Sequence, residues 1–246
     1  MYNKEINLKK GGAHMSEKLW IMFDKDGTLI HFDESWIKIG IQLVEAVCDY
    51  FHIKAIEDVK IQLGIENDAF KPGSIMAAGT LEDMIKVFNQ YADQNTRSYT
   101  TQRSQALIHA REPEVTLIEG VASMLHALKS QGYHLGILTS DNRTGITHFF
   151  EKTQLQSLFD IVISTDGDNF EKPDPRILQP LWDRGIQGKD LIFVGDTDND
   201  MLTGKNVNAR QTIGVKTGLG SQATFQEADV ILNDVTELPQ ILKSTH

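Results

Sequence analysis

The chain lacks most of what marks a secreted, membrane-bound or nucleic-acid-binding protein. It has one cysteine, Cys48, so no intrachain disulfide is possible. Cys48 closes the apolar stretch Ile41 to Cys48, where a small buried hydrophobe is the expected role and a reactive thiol is not. No apolar run approaches the length of a membrane-crossing helix. The first 20 residues lack the apolar centre of a signal peptide. No stretch is rich in Lys and Arg, and the formal net charge is −10, which argues against nucleic acid and anionic membranes as partners. A reducing, cytoplasmic setting is the expectation. The eight histidines are scattered with no pair at metal-ligand spacing. There is no Gly-rich nucleotide loop ending in Lys-Ser/Thr, no internal repeat and no low-complexity tract.

What is present is ordinary for a globular protein: 246 residues, 40% hydrophobic and 24% charged. That is enough for one large domain, or for a core with a smaller companion. Residues 1–17 carry neither a core pattern nor a targeting signal and are expected to form a disordered leader, with Met15-Ser-Glu reading as the native start. So acidic a chain repels an anionic substrate unless a cation or a local basic group intervenes.

Apolar runs bounded by polar residues read as buried strands at Leu19–Phe23, Tyr133–Leu138, Asp160–Ser164, Leu191–Val194, Arg210–Val215 and Val230–Leu232. Helical patterns fall between them: Gly120 to Gln131, Pro175 to Arg184, from Asn199, and near Leu238. This alternation predicts an α/β fold, a three-layer Rossmann-like parallel sheet formed by residues 18–32 and 115–246. Residues 33–114 differ. Trp36, Ile37, Ile41, Val44 and Val47, then Leu81, Met84, Ile85 and Phe88, keep helical spacing, and no strand run is evident. An inserted α-helical domain is expected there. Trp36 and Trp182 occupy helical positions and read as packing residues.

Four signals follow four predicted strands. The first strand runs into Asp24-Lys-Asp26-Gly27-Thr28-Leu29, and in extended chain residues i and i+2 face one way. Two close carboxylates repel unless a proton or cation separates them, and an oxygen-only site suits Mg²⁺. A second acidic cluster, Asp196-Thr-Asp198-Asn-Asp200, follows Leu191–Gly195. As a calcium loop it fails, with Met201 at the glycine position and Val207 at the final glutamate position. Thr139 and Ser140 close a third strand, and Lys172 lies in Glu171-Lys-Pro173 after a fourth. Either of these alone is what a cap or turn would also use. In a parallel sheet all four strand ends share one edge, so the four groups can converge where such sheets bind ligands. Gly218-Leu-Gly220-Ser-Gln-Ala223 fits a loose dinucleotide fingerprint but comes too late in the alternation, and reads as a loop.

Together these motifs resemble the haloacid dehalogenase superfamily, in its phosphatase branch. Asp24-Lys-Asp26-Gly-Thr-Leu29 looks like its first motif, Thr139 its second, Lys172 its third and Gly195-Asp196 to Asp200 its fourth. The stretch from Gly136 through Lys172 to Asp200 is similar to the phosphoglycolate-phosphatase-like subgroup. The resemblance implies a helical cap at residues 33–114 and an aspartyl-phosphate formed on Asp24. It implies acid–base work by Asp26, and Mg²⁺ held by Asp24, the Asp26 carbonyl and Asp196, with Asp200 in support. Thr139, Ser140 and Lys172 would bind the phosphoryl group of a small phosphorylated metabolite, phosphoglycolate-like or a sugar phosphate. Lys71, Arg97, Arg103 and Arg143 are candidate substrate contacts. A sugar-phosphate mutase and a non-catalytic regulatory protein are the alternatives. A dehalogenase is disfavoured, because it needs neither Asp26 nor the pair Asp196 and Asp200.

Overall fold

Six apolar runs become six strands: the central ones are buried on both faces, while the edge strands leave Val162 and Ile231 exposed. A computed structural model describes residues 19–32, 35–71, 73–111, 114–165, 170–218 and 224–243. The expected leader and most of the Gly218–Ala223 loop lie outside the described residues. The strands are β1 (Trp20–Phe23), β4 (His134–Leu138), β5 (Ile161–Ile163), β6 (Leu191–Gly195), β7 (Gln211–Val215) and β8 (Val230–Leu232). All pair in parallel, in the order β5-β4-β1-β6-β7-β8. The chain builds outward from β1 through β4 to β5. It then returns to the other side of β1 and builds β6 to β8. The direction of winding reverses between β1 and β6, and such a reversal opens a crevice at the carboxyl ends of the strands.

Strand alternation sorts the side chains into two apolar layers. Ile21, Phe23, Leu135, Ile137, Ile192 and Val194 meet α6 (Val121–Ser130), α7 (Arg143–Thr153) and α10 (Leu238–Lys243) on one face. Met22, Leu191 and Phe193 face the opposite way, with Leu181 of the short α8 (Gln179–Trp182) packed against them. On that side too, Gly204 of α9 (Asp198–Asn206) lies against Phe193 and Thr212. Burying a side chain such as Phe23 or Ile21 contributes about 1.5–3 kcal/mol. The helix read over Pro175–Arg184 is shorter than expected. Pro175–Leu178 is a 3₁₀ turn, and only Gln179–Trp182 is α-helical. Helix α7 was not legible from periodicity. Asn142 caps it by accepting from the Gly145 amide at 2.9 Å.

Between β1 and α6 lies a helical insert: α1 (Ser35–Tyr50), α2 (Ile56–Leu63), α3 (Ile75–Ala78), α4 (Leu81–Tyr91) and α5 (Arg97–His109). Its helices close around their own cluster, with Val44, Val47, Leu63 and Phe88 buried at its centre. Contrary to the strand-free reading, a small antiparallel hairpin pairs β2 (Ile65–Glu66) with β3 (Ala69–Phe70). Asn67 and Asp68 turn it with φ of 51° and 56°, a conformation these short polar side chains tolerate. Strands of two residues are too short to show a period. The two connections to the sheet run side by side: Ile30 bridges Leu117, and the His31 amide donates to Thr116 O at 2.9 Å.

Candidate active site

The pairing Phe23↔Ile137 and Phe23↔Val194 places the next residue, Asp24, at the sheet edge beside the ends of β4 and β6. The chain then turns tightly, the Leu29 amide donating to Lys25 O at 2.9 Å. Gly27 makes the turn possible with φ +82°. A Cβ at Gly27 would collide with the Asp196 carboxylate and come within 2.9 Å of the Gly218 Cα. Asp24, Asp26, Thr139, Ser140, Lys172 and Asp196 line one cleft of 1080 Å³.

Lys172 is the buried hub. Its ammonium donates to Asp24 Oδ1 at 2.7 Å and to Asp200 Oδ1 at 2.6 Å. Asp200 Oδ2 in turn accepts from the Thr197 hydroxyl at 2.7 Å and amide at 3.0 Å, in the capping box that starts α9. One carboxylate thus caps a helix and orients the lysine. Asp24, Asp196 and Asp200 each offer an oxygen within 4.8 Å of the others. Burial, with the neighbouring charges of Asp200 and Asp26, raises the Asp24 pKa to about 7 despite Lys172. Burial and the charges of Asp24 and Asp200 push Asp196 well above the usual carboxylate range. For Lys172, burial opposes the charge, but Asp200 and Asp24 outweigh it and its pKa is raised. Asp196 Oδ1 is buried with no hydrogen-bond donor. Three crowded carboxylates, one with an unsatisfied oxygen, fit a hard divalent cation.

Asp26 has a different neighbour. Lys25, fully buried, places its ammonium 2.9 Å from Asp26 Oδ1 and 2.8 Å from Oδ2. Burial raises the Asp26 pKa, with Lys25 opposing. Thr139 is buried, and its hydroxyl accepts from the Asp141 amide at 3.1 Å. Ser140 is exposed on the same loop.

Of the four candidate substrate contacts, Arg97 lines the cleft, where it is forked onto Glu82 at 2.6 Å through both nitrogens. Lys71, Arg103 and Arg143 are exposed and are not among the cleft-lining residues. Trp36, read as packing, also lines the cleft. Sequence reasoning missed Lys25, Arg111, Asp141 and Asn142. A signal existed for two of them: Lys25 and Asp141 each stand within three residues of a singled-out strand end.

The fold and the site define an α/β enzyme fold with carboxylates and an ammonium gathered at the winding reversal of a parallel sheet. The chain belongs to the haloacid dehalogenase-like hydrolase family, whose model matches residues 21–215. It is 28% identical over 225 residues to the pyrophosphatase PpaX of Bacillus velezensis, covering 90% of this chain and 94% of that one. Among solved structures, a haloacid dehalogenase-like hydrolase from Bacteroides fragilis aligns with a TM-score of 0.63 at 20% identity, covering 90% of this chain and 99% of that one. A HAD phosphatase from Thermococcus onnurineus aligns with a TM-score of 0.55 at 23% identity, covering 92% and 97%. Among the described residues, no helix is long and apolar enough to cross a membrane.

Proposed function

We propose that the protein is a Mg²⁺-dependent phosphatase that cleaves a small phosphate monoester through an aspartyl-phosphate on Asp24. The observation that carries this reading is the convergence of Asp24, Lys172 and Asp196 at the floor of the cleft, with the buried Asp200 bonded to Lys172.

In this reading Asp24 attacks phosphorus, and the bond to the leaving oxygen breaks. Asp26 gives its proton to that oxygen, and the alcohol departs. The raised pKa of Asp26 supports the role of proton donor. Asp26 then takes a proton from water, which attacks the aspartyl-phosphate and frees Asp24 and phosphate. Lys172 and Thr139 donate to the phosphoryl oxygens, where charge spreads in the transition state. Asp24, Asp196 and the Asp26 carbonyl would hold Mg²⁺, with Asp200 in support, and the ion would supply charge neutralisation for an anionic substrate in an acidic protein. The helical insert acts as a cap that keeps bulk water from the intermediate.

The cleft also supports a substrate class. Phe32, Trp36, Leu43, Phe70 and Met84 give the cleft an apolar wall, while Thr101, Ser104, Gln105 and His109 line it with polar but uncharged or weakly basic groups. Among the described residues, the Lys and Arg side chains that line it are Lys172, held by two carboxylates, and Arg97, held by Glu82; His109 lines it as well. A second anionic group, such as the distal phosphate of pyrophosphate or the carboxylate of phosphoglycolate, meets no uncommitted Lys or Arg there. The favoured substrate is the monoester of a neutral, partly apolar alcohol. Phosphate release from a panel of monoesters in Mg²⁺ tests the activity. Release from none would refute it, and return of the phosphoryl group to substrate would mark a mutase.

A further inference from the structure

A second chain of charges lies beside the catalytic floor, and the mechanism above does not use it. It alternates in sign: Asp26, Lys25, Asp141, Arg111. Lys25 bridges Asp26 at 2.8 Å and Asp141 Oδ2 at 3.1 Å. Arg111 Nη2 lies 2.6 Å from the same Asp141 oxygen. The side chains of Lys25, Asp141 and Arg111 are buried, at 0%, 0% and 1% exposure. Gly145 leaves room for Asp141, since a Cβ there would collide with its carboxylate. Burying four charges costs much of what their attraction returns, so such a chain is weak evidence for stability. Its value lies in fixing positions.

The positions it links are specific. Asp141 follows β4, on the sheet. Arg111 stands on the connection that leaves the helical insert, and its Nη1 donates to Ser35 Oγ, where the insert begins, at 3.1 Å. Its guanidinium lies 4.0 Å over the ring of Trp36, which lines the cleft. Asn142 adds a parallel tie, donating through Nδ2 to Ile108 O at the end of α5 at 3.1 Å. One arginine therefore touches both connections of the insert, a wall of the cleft, and the carboxylate that steadies the lysine holding Asp26.

We propose that Lys25, Asp141 and Arg111 are positioning residues that hold Asp26 for proton transfer and make its placement depend on the seating of the helical insert. A substrate pressed against Trp36 bears on Arg111, and through Asp141 and Lys25 on Asp26. The acid is aligned when the insert is seated, which confines both proton transfers to the covered cleft. The proposal rests on the acid–base role given to Asp26 above.

The test compares an alkyl phosphate, whose poor leaving group needs the proton, with a nitrophenyl phosphate, which barely needs it in the first step. Pre-steady-state phospho-enzyme formation is measured for wild type, Asp141→Asn and Arg111→Lys, the last keeping its charge so that folding is preserved. General acid catalysis is worth about a hundredfold to ten-thousandfold. Asp141→Asn should therefore slow the alkyl ester at least about tenfold, and the nitrophenyl ester by less than about threefold. Arg111→Lys should fall between Asp141→Asn and wild type. In an Asp26→Ala background Asp141→Asn should add almost nothing, because residues acting through one group are not additive. Equal losses for both esters in folded variants, or full additivity with Asp26→Ala, would overturn the positioning role while leaving the phosphatase reading intact. Wild-type protein that releases no phosphate from either ester would overturn both.

Discussion

The Lys172 ammonium lies 2.7 Å from Asp24 Oδ1, so the group assigned to attack phosphorus already carries the cation that would receive the phosphoryl charge. The pair is buried, with side-chain exposures of 7% and 9%, and water screens it little. Asp24→Asn should abolish turnover with the fold intact, since an amide cannot attack phosphorus. Lys172→Met should lower kcat by about a hundredfold or more, the scale of losing one preorganised donor. Steady-state phosphate release with circular dichroism checks both. An Asp24→Asn protein within tenfold of wild type would sink the nucleophile assignment.

The buried, donor-free Asp196 Oδ1 leads to a metal prediction. A chelator should remove activity and Mg²⁺ should restore it. Ca²⁺ should inhibit, because its larger and looser coordination disturbs the geometry of attack. A readout independent of turnover is the thermal midpoint. Mg²⁺ should raise it in wild type and leave it unchanged in Asp196→Asn. Full activity in excess chelator would contradict the assignment.

The apolar wall formed by Phe32, Trp36, Leu43, Phe70 and Met84 sets a substrate order. Each buried methylene is worth about 0.8 kcal/mol. Hexyl phosphate should therefore exceed phosphoglycolate and pyrophosphate in kcat/KM by at least about tenfold, its chain lying against Met84 and Phe70. Met84→Lys should narrow that gap by giving the wall a cation. A wild-type preference for phosphoglycolate or pyrophosphate would reverse the reading of the cleft.

One acid sensitivity lies far from the site. Asp229 accepts from the Thr212 amide at 2.8 Å and hydroxyl at 2.9 Å, and pairs with Lys205 at 2.7 Å. Burial alone would raise its pKa, but Lys205 and Thr212 outweigh burial and hold it below the usual value. A depressed carboxylate contributes stability above its unfolded pKa of about 3.9 and loses it as pH falls through the folded value. Asp229→Asn should lower the thermal midpoint at pH 7, and the gap to wild type should shrink below about pH 4. A gap that stays constant into acid would show that the tie is not ionic.

The sheet was legible because its strands are apolar runs, and part of the candidate site because Asp24, Thr139 and Asp196 each directly follow such a run. Alone each would also suit a cap or turn, and it was the shared edge of four parallel strands that singled them out. Arg111 followed no rule of spacing. It matters because two connections far apart in sequence run side by side, which only the folded chain displays. Arg97 fitted a substrate contact by charge and place in sequence, yet Glu82 on the neighbouring helix claims its fork. Charge can be read from a sequence, whereas the partner that neutralises it depends on packing.

The bridge between Ile30 and Leu117 means that the insert is entered and left through a single doorway. A segment attached this way can be lengthened, trimmed or exchanged without breaking a rung of the parent sheet. The doorway also stands next to the chemistry, because the strand that supplies Asp24 leads straight into it. Evolution can thus try new clefts above an unchanged floor, and an engineer can graft a foreign insert at the same two residues. Such a graft carries one condition: the newcomer must bring an arginine to the place of Arg111, or Asp141 is left to share the single charge of Lys25 with Asp26.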